Sequence, residues 1–197
     1  MDSSSGQLQF ESTIRRALER VCAMSEEQCS ALREHFEVLL RWNRLMNLTS
    51  IRDPLEAIER HYCESVFLGM HLPEGEITVV DVGSGAGFPG IGVAVMRPLA
   101  RVTLVESNQK KAAFLKESTR KVANIRVLGR RAEDVRERFD WLISRAVAWE
   151  DLPMLGDHVA LLTSEPAPEF RWRESVRLPW GDRRVLLIGD TARETAK

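Results

Sequence analysis

The residues best placed to do chemistry are Val79-Val80-Asp81-Val82-Gly83-Ser84-Gly85-Ala86-Gly87-Phe88-Pro89-Gly90, an apolar run that enters a glycine-dense turn and opens a helix. Such a turn lets a ligand approach backbone amides at the positive end of a helix, the arrangement of a nucleotide-type cofactor loop. Gly85, Gly87 and Gly90 spell G-x-G-x-x-G, so spacing alone leaves the cofactor open between a dinucleotide and S-adenosylmethionine. Asp81, two residues ahead of Gly83, argues for the second. A carboxylate there repels a pyrophosphate and attracts the ammonium and sulfonium of a phosphate-free methyl donor. Phe88 adds a bulky apolar wall where a dinucleotide needs room. Glu106 ends a second apolar run about twenty residues beyond the glycines, the usual offset for an acid on ribose hydroxyls, and suits either cofactor.

These groups need elements to carry them. Helical periodicity predicts segments over 8–21, from a Ser25-Glu26-Glu27-Gln28 capping signature to about Met46, and from Asp53-Pro54 to about His71. Pro73-Glu74-Gly75 then breaks the chain, giving a helical extension over 1–74 and a Rossmann-like α/β domain over 75–197. In the second part strands at 78–82, 101–106, 125–128 and 139–144 alternate with helices from Pro89, at 109–122 and near Glu133. That alternation predicts a parallel sheet covered on both faces. Candidate strands at 158–163, 170–178 and 184–188 follow, the last two an antiparallel hairpin around Pro179-Trp180-Gly181-Asp182.

Composition fits a globular cytoplasmic enzyme: 197 residues, 44% hydrophobic and 29% charged, with no apolar run of membrane-span length and no signal-peptide pattern at Met1-Asp2-Ser3-Ser4-Ser5-Gly6. Cys22, Cys29 and Cys63 lack metal-ligand spacing and read as thiols in helices; no metal is expected. The net charge of −1 conceals a segregation. Between Arg97 and Arg145 there are thirteen Lys or Arg against six Asp or Glu, a sector of +7 that leaves −8 elsewhere. Lys110, Lys111 and Arg131 belong to this sector, which suits either a phosphate-attracting surface or an ordinary solvated helix face.

With these residues in view the chain resembles the RsmG, or glucose-inhibited division protein B, methyltransferase family, which modifies guanine N7 in a decoding-region loop of 16S ribosomal RNA. The resemblance rests on Trp42-Asn43 with Asn47-Leu48-Thr49, Arg60-His61, Glu64-Ser65, the block from Asp81 to Ile91, Lys110-Lys111 with Phe114-Leu115, Arg131-Ala132-Glu133 and Ser144-Arg145-Ala146. It implies a class I S-adenosylmethionine-dependent sheet, contacts to that cofactor from Gly83, Phe88, Ala132, Glu133 and Arg145, with Glu106 on the ribose, and 16S rRNA or the small ribosomal subunit as partner; a monomer is expected, though the sequence does not fix the oligomeric state. Gly85 and Gly87 complete the cofactor loop.

The chemistry agrees. Guanine N7 has an in-plane lone pair and no proton, so transfer there requires alignment and no general base. The chain has no Asn- or Asp-Pro-Pro-aromatic tetrad after the fourth strand, as exocyclic-amine methylation would ask, and its cysteines follow no proline. The only tyrosine, Tyr62, precedes the loop, which disfavours the rival reading as an NAD(P)-dependent oxidoreductase; an inactive cofactor-binding relative is the second alternative. Arg145, ending an apolar strand at the cofactor edge, is the first candidate for contact with the methionine carboxylate or RNA, the alternative being an ion pair with Asp81 or Glu106. Arg131 is the second candidate, for RNA phosphate or the target base. Asn43 and His61 are expected at the RNA entrance, and Trp42 as a packing anchor. The tail departs from the family pattern: the lysine and helix expected after the fifth strand give way to Leu161-Leu162-Thr163-Ser164 and Pro166-Ala167-Pro168, a shortened hairpin end.

Overall fold

The computed structural model describes residues 3–49, 51 and 53–191; Met1, Asp2, Ser50, Arg52 and residues 192–197 lie outside them. Helices α1 (Ser3–Leu18) and α2 (Glu26–Asn43) come first, the second opened by the expected capping box, in which Ser25 Oγ accepts from Gln28 N and Gln28 Oε1 from Ser25 N. The third helical segment is continuous but changes pitch. It starts as α3 (Pro54–Ala57), widens to a π-helix over Ile58–Cys63 and ends as α4 (Glu64–Met70). The pitch change escaped the sequence reading, since apolar periodicity over so few residues does not separate 3.6 from wider turns.

Seven strands follow: β1 (Thr78–Val82), β2 (Arg101–Val105), β3 (Ile125–Leu128), β4 (Phe139–Arg145), β5 (Gly156–Ser164), β6 (Trp172–Arg177) and β7 (Arg184–Asp190). Their spatial order is β3-β2-β1-β4-β5-β7-β6. The first five are parallel, β7 is antiparallel to β5, and β6 pairs antiparallel with β7 at the edge. Strand order reverses between β1 and β4, the switch point where ligands of open α/β sheets sit. Helix α5 (Gly90–Met96) follows β1 and α6 (Gln109–Ser118) follows β2, the latter stopping short of the expected Val122.

Period-2 alternation divides the sheet cleanly. Val79, Val102, Leu104, Trp141, Ile143, Ala160, Leu162, Leu186 and Ile188 share one core with Phe10, Leu32, Tyr62, Val66, Ile91 and Phe114 of the helices. Val80, Val82, Val105, Leu142, Val159, Leu161, Val185 and Leu187 form the other. Among the described residues α-helices cover only the first face, which corrects the expectation of helical cover on both. The second carries two 3-10 turns, Ala132–Asp134 and Trp149–Asp151, and a stack of Trp149, Phe170 and Trp172 with ring centroids 4.7–4.9 Å apart. Among the described residues no helix is long and apolar enough to cross a membrane.

Candidate active site

The carboxyl ends of the central strands open on two adjoining cavities. The larger, about 770 Å³, is lined by the glycine loop (Gly83, Ser84, Gly85, Ala86, Phe88), by Thr49, Arg60 and His61 from the helical segment, and by Glu106, Lys111, Arg145, Ser164 and Arg184. The smaller, about 350 Å³, is lined by Val82, Val105, Arg130, Arg131, Ala132 and Glu133. Gly83, Glu106 and Val147 belong to both and form the waist between them. Gly83 has φ +73°, and a Cβ there would meet Val147 Cγ2 at 2.5 Å, so both conformation and space require glycine.

Glu106 holds the waist. Its Oε2 accepts from Gly85 N at 2.9 Å and its Oε1 from Asn108 N at 2.7 Å, so the carboxylate is fixed by loop and helix start while remaining on the cavity wall. Asp81 behaves otherwise than the sequence reading expected. It lies on the Val79 side of β1, the face that α5 covers, so its carboxylate turns beneath the loop and is fully buried. Oδ2 accepts from Gly90 N at 3.0 Å, Oδ1 has no hydrogen-bond partner, and neither cavity includes the residue. Burial raises its pKa to about 7, against the lowering effect of the Gly90 N–H. Asp81 therefore satisfies the start of α5 from below and does not face a ligand. Gly87 also turns inward, where a Cβ would come 3.1 Å from His35 Nε2.

Arg145 lies at the centre of the larger cavity's polar wall. Its Nη1 donates to the Arg60 carbonyl at 2.5 Å, its Nη2 to His61 Nδ1 at 2.8 Å, and its guanidinium lies 5.5 Å from the Phe88 ring centre. With Nδ1 accepting, His61 carries its proton on Nε2 and donates to Thr49 Oγ1 at 2.8 Å. Burial, then Arg145 and Arg60, drive the His61 pKa down to about 3, so the ring is neutral. It stacks on Phe88 with centroids 4.8 Å apart. Burial also lowers the Arg145 pKa, to about 10, which leaves it cationic at neutral pH. Its carboxylate neighbour is Glu64 at 3.9 Å, not the Asp81 or Glu106 weighed from sequence.

Other expected groups divide. Lys111 lines the larger cavity, whereas Lys110 is exposed outside both. Arg131, Ala132 and Glu133 lie together on the smaller one, so Arg131 and Arg145 are on different lobes and do not converge on one group. Asn43 is occupied within the protein: Oδ1 accepts from Leu48 N at 2.9 Å and Thr49 N at 3.1 Å, turning the chain that presents Thr49 to His61. Trp42 is an anchor, its Nε1 donating to Glu117 Oε2 at 3.0 Å. Sequence reasoning gave Glu64 and Thr49 no role beyond the family motifs, and read Arg184, with Arg171, Arg173 and Arg183, as either a hairpin phosphate contact or an exposed arginine; its pairing with buried Glu64 was not foreseen. Arg60 and Glu64 are spaced i,i+4 on a helix, a pattern that reads as a surface pair, and nothing local indicates that a strand 120 residues later completes it.

A sequence profile described as rRNA small subunit methyltransferase G matches residues 28–154. The chain belongs to this family. Ribosomal RNA small subunit methyltransferase G of Nitrosomonas europaea is 44% identical over 135 residues, covering 66% of this chain and 62% of that protein. The protein of the same name from Dichelobacter nodosus is 40% identical over 129 residues, covering 64% and 61%. The chain thus spans about three fifths of the length of these curated relatives. Among solved structures, an S-adenosylmethionine-dependent methyltransferase from Aquifex aeolicus superposes with a TM-score of 0.53 at 18% identity, over 69% of this chain and 92% of that one. A predicted O-methyltransferase from Agrobacterium tumefaciens gives 0.51 at 19% identity, over 66% and 81%. The fold is that of Rossmann-like methyltransferases. The family match runs from α2 to the turn after β4 and stops short of β5, β7 and β6, so Ser164 and Arg184 lie outside it.

Proposed function

We propose that this chain transfers a methyl group from S-adenosylmethionine to N7 of a guanine in 16S ribosomal RNA. One observation carries the choice of cofactor. The amide at the start of α5, which a diphosphate would use, is already taken from below by the buried Asp81 carboxylate. The loop therefore opens onto its cavity with no anion-binding helix end to offer, which disfavours a nicotinamide dinucleotide and suits a phosphate-free cation. The support from Asp81 is therefore of another kind than the charge facing the ligand expected from the sequence: it occupies the first amide of α5.

The cavity fits the methyl donor. The smaller lobe, with apolar Val82, Val105, Ala132 and Val147, suits the adenine; Glu106 at the waist suits the ribose hydroxyls; Gly83 and Gly85 leave room for the methionine part beside the backbone. When bound there, the donor supplies an electrophilic methyl on sulfur. The protein's own part is alignment. Thr49, His61 and the Arg60 carbonyl fix Arg145 with Phe88 beneath it, so the polar wall facing the target base is preorganised and little ordering remains for the moment of transfer. Both nitrogens of His61 are engaged and its neutral ring is a poor proton acceptor at this depth. N7 attack requires none. Lys111, Arg130 and Arg131 form no ion pair among the described residues and flank the two lobes, where they suit RNA phosphates.

The test is methyl transfer from tritiated S-adenosylmethionine to small ribosomal subunits lacking the modification, with mass mapping of the 16S rRNA. One added methyl at a single guanine, with strand cleavage on reduction and aniline treatment, is the expected result. Saturable binding of NAD without S-adenosylmethionine binding would sink the reading.

A further inference from the structure

Three guanidinium groups gather on one buried carboxylate at the β5–β7 side of the larger cavity. Glu64 is fully buried. Arg184 Nε and Nη2 donate to its Oε1 and Oε2 at 3.1 and 2.6 Å, Arg60 Nε lies 3.3 Å from Oε1, and Arg145 Nη1 lies 3.9 Å from Oε2. No other carboxylate approaches any of these arginines within 4.0 Å among the described residues. Arg184 spends a further donor on Ser164 Oγ at 3.1 Å, and Arg60 Nε is shut away from solvent without a hydrogen bond of good geometry. The cluster thus sets three guanidiniums against one carboxylate within 4.0 Å, Arg145 and Arg184 largely buried with 17% and 11% of their side chains exposed and Arg60 open to solvent at 40%, all of them lining a cavity. Unbalanced charge on the buried pair, Arg145 and Arg184, is costly unless an anion completes it.

Sheet order identifies which anion. Glu106 follows β2, while Arg184 begins β7, four strands away in the order β2-β1-β4-β5-β7. At about 4.8 Å per strand the two ends are roughly 19 Å apart, and the Arg184 guanidinium, bonded to Ser164 of β5, is still some 14 Å along. A methyl donor with its ribose on Glu106 reaches with its carboxylate across only about two strand spacings, roughly as far as β4. It ends near Arg145 and leaves the far side of the cluster free.

We propose that Arg184, with Arg60 and Arg145, forms a phosphodiester site for the RNA strand beside the target base, Glu64 acting as the positioning carboxylate that splays the guanidiniums around it. This rests on the RNA methyltransferase reading above. Arg184 is on the helix-covered side of β7, as Leu186 and Ile188 are, which is why a terminal hairpin residue reaches a carboxylate of α4. The planar fork of arginine can keep one edge on Glu64 and offer the other to phosphate.

The experiment uses the full chain with Arg184→Gln and Arg184→Lys, measuring calorimetric affinity for S-adenosylmethionine, KM and kcat for undermethylated small subunits, and the salt dependence of subunit binding. For Arg184→Gln we expect KM to rise at least tenfold with cofactor affinity within twofold of wild type. The log–log salt slope should fall by about 0.7, the loss of one phosphate contact. Arg184→Lys, which keeps the charge beside Glu64 and loses the fork, should fold even if Arg184→Gln does not, and should raise KM about threefold. Unchanged KM and salt slope in a folded variant would overturn the proposal and leave Arg184 a structural ion pair. Cofactor affinity falling in step with KM would overturn it in favour of the donor's carboxylate. Wild type that neither binds nor methylates the particle defeats the parent reading and this one together, an outcome visible before any variant is compared.

Discussion

Asp81 and Arg145 illustrate how far a residue's type predicts its environment. Both were expected at the site because they end strands at its edge. Arg145 is there, held by a carbonyl and a neutral histidine, and Arg145→Ala should lower kcat/KM for small subunits roughly a hundredfold, the scale for loss of a preorganised donor, in a tritium-transfer assay. Circular dichroism should remain that of the wild type, since Arg184 still pairs Glu64. Asp81 is one pleat on the wrong side for contact with a ligand, and its consequence is thermodynamic. Burial raises its pKa from 3.8 to about 7, so the folded protein binds a proton that the unfolded chain releases. The stability this contributes is full below pH 4 and is lost as pH rises through 7. Asp81→Asn removes that dependence: the melting temperature of wild type relative to the variant should decline from pH 4 to 7 and level off above. Parallel melting curves across that range would refute the assignment.

Elements differ in how plainly the sequence announces them. The capping box at Ser25, the strand–loop–helix unit at β1 and the closing hairpin were legible because each is fixed by contacts within a few residues. The π-helix at Ile58–Cys63 was not, nor the early end of α6, because tertiary packing sets both. The waist at Gly83 makes a test at this scale. Gly83→Ala places a methyl 2.5 Å from Val147 Cγ2 at a positive φ and should weaken S-adenosylmethionine binding at least tenfold by calorimetry. Adding Val147→Ala removes the clash but not the backbone strain, about 1 kcal/mol, and should restore part of the affinity. Full restoration would show that the steric contact alone matters.

For the molecule as a whole, the uneven cover of the sheet matters most. Among the described residues every α-helix lies on one face, and beyond β4 the other depends on Trp149, Phe170 and Trp172 rather than on a crossover helix. Phe170→Ala should destabilise by about 2 kcal/mol in urea unfolding, less than for a fully buried ring, and should raise dye binding by exposed apolar surface. An unchanged midpoint would mean that this face is held by other contacts. The sequence by itself determined the order of elements, the glycine loop, the acid at 106 and the family, because these rest on local periodicity and on residues adjacent along the chain. Only the tertiary structure decided that Asp81 turns under the helix, that Arg131 and Arg145 occupy separate lobes, and that Arg184 joins Glu64 across 120 residues. Those outcomes depend on which face of a pleat meets which helix and on strand order, and no spacing along one chain encodes either.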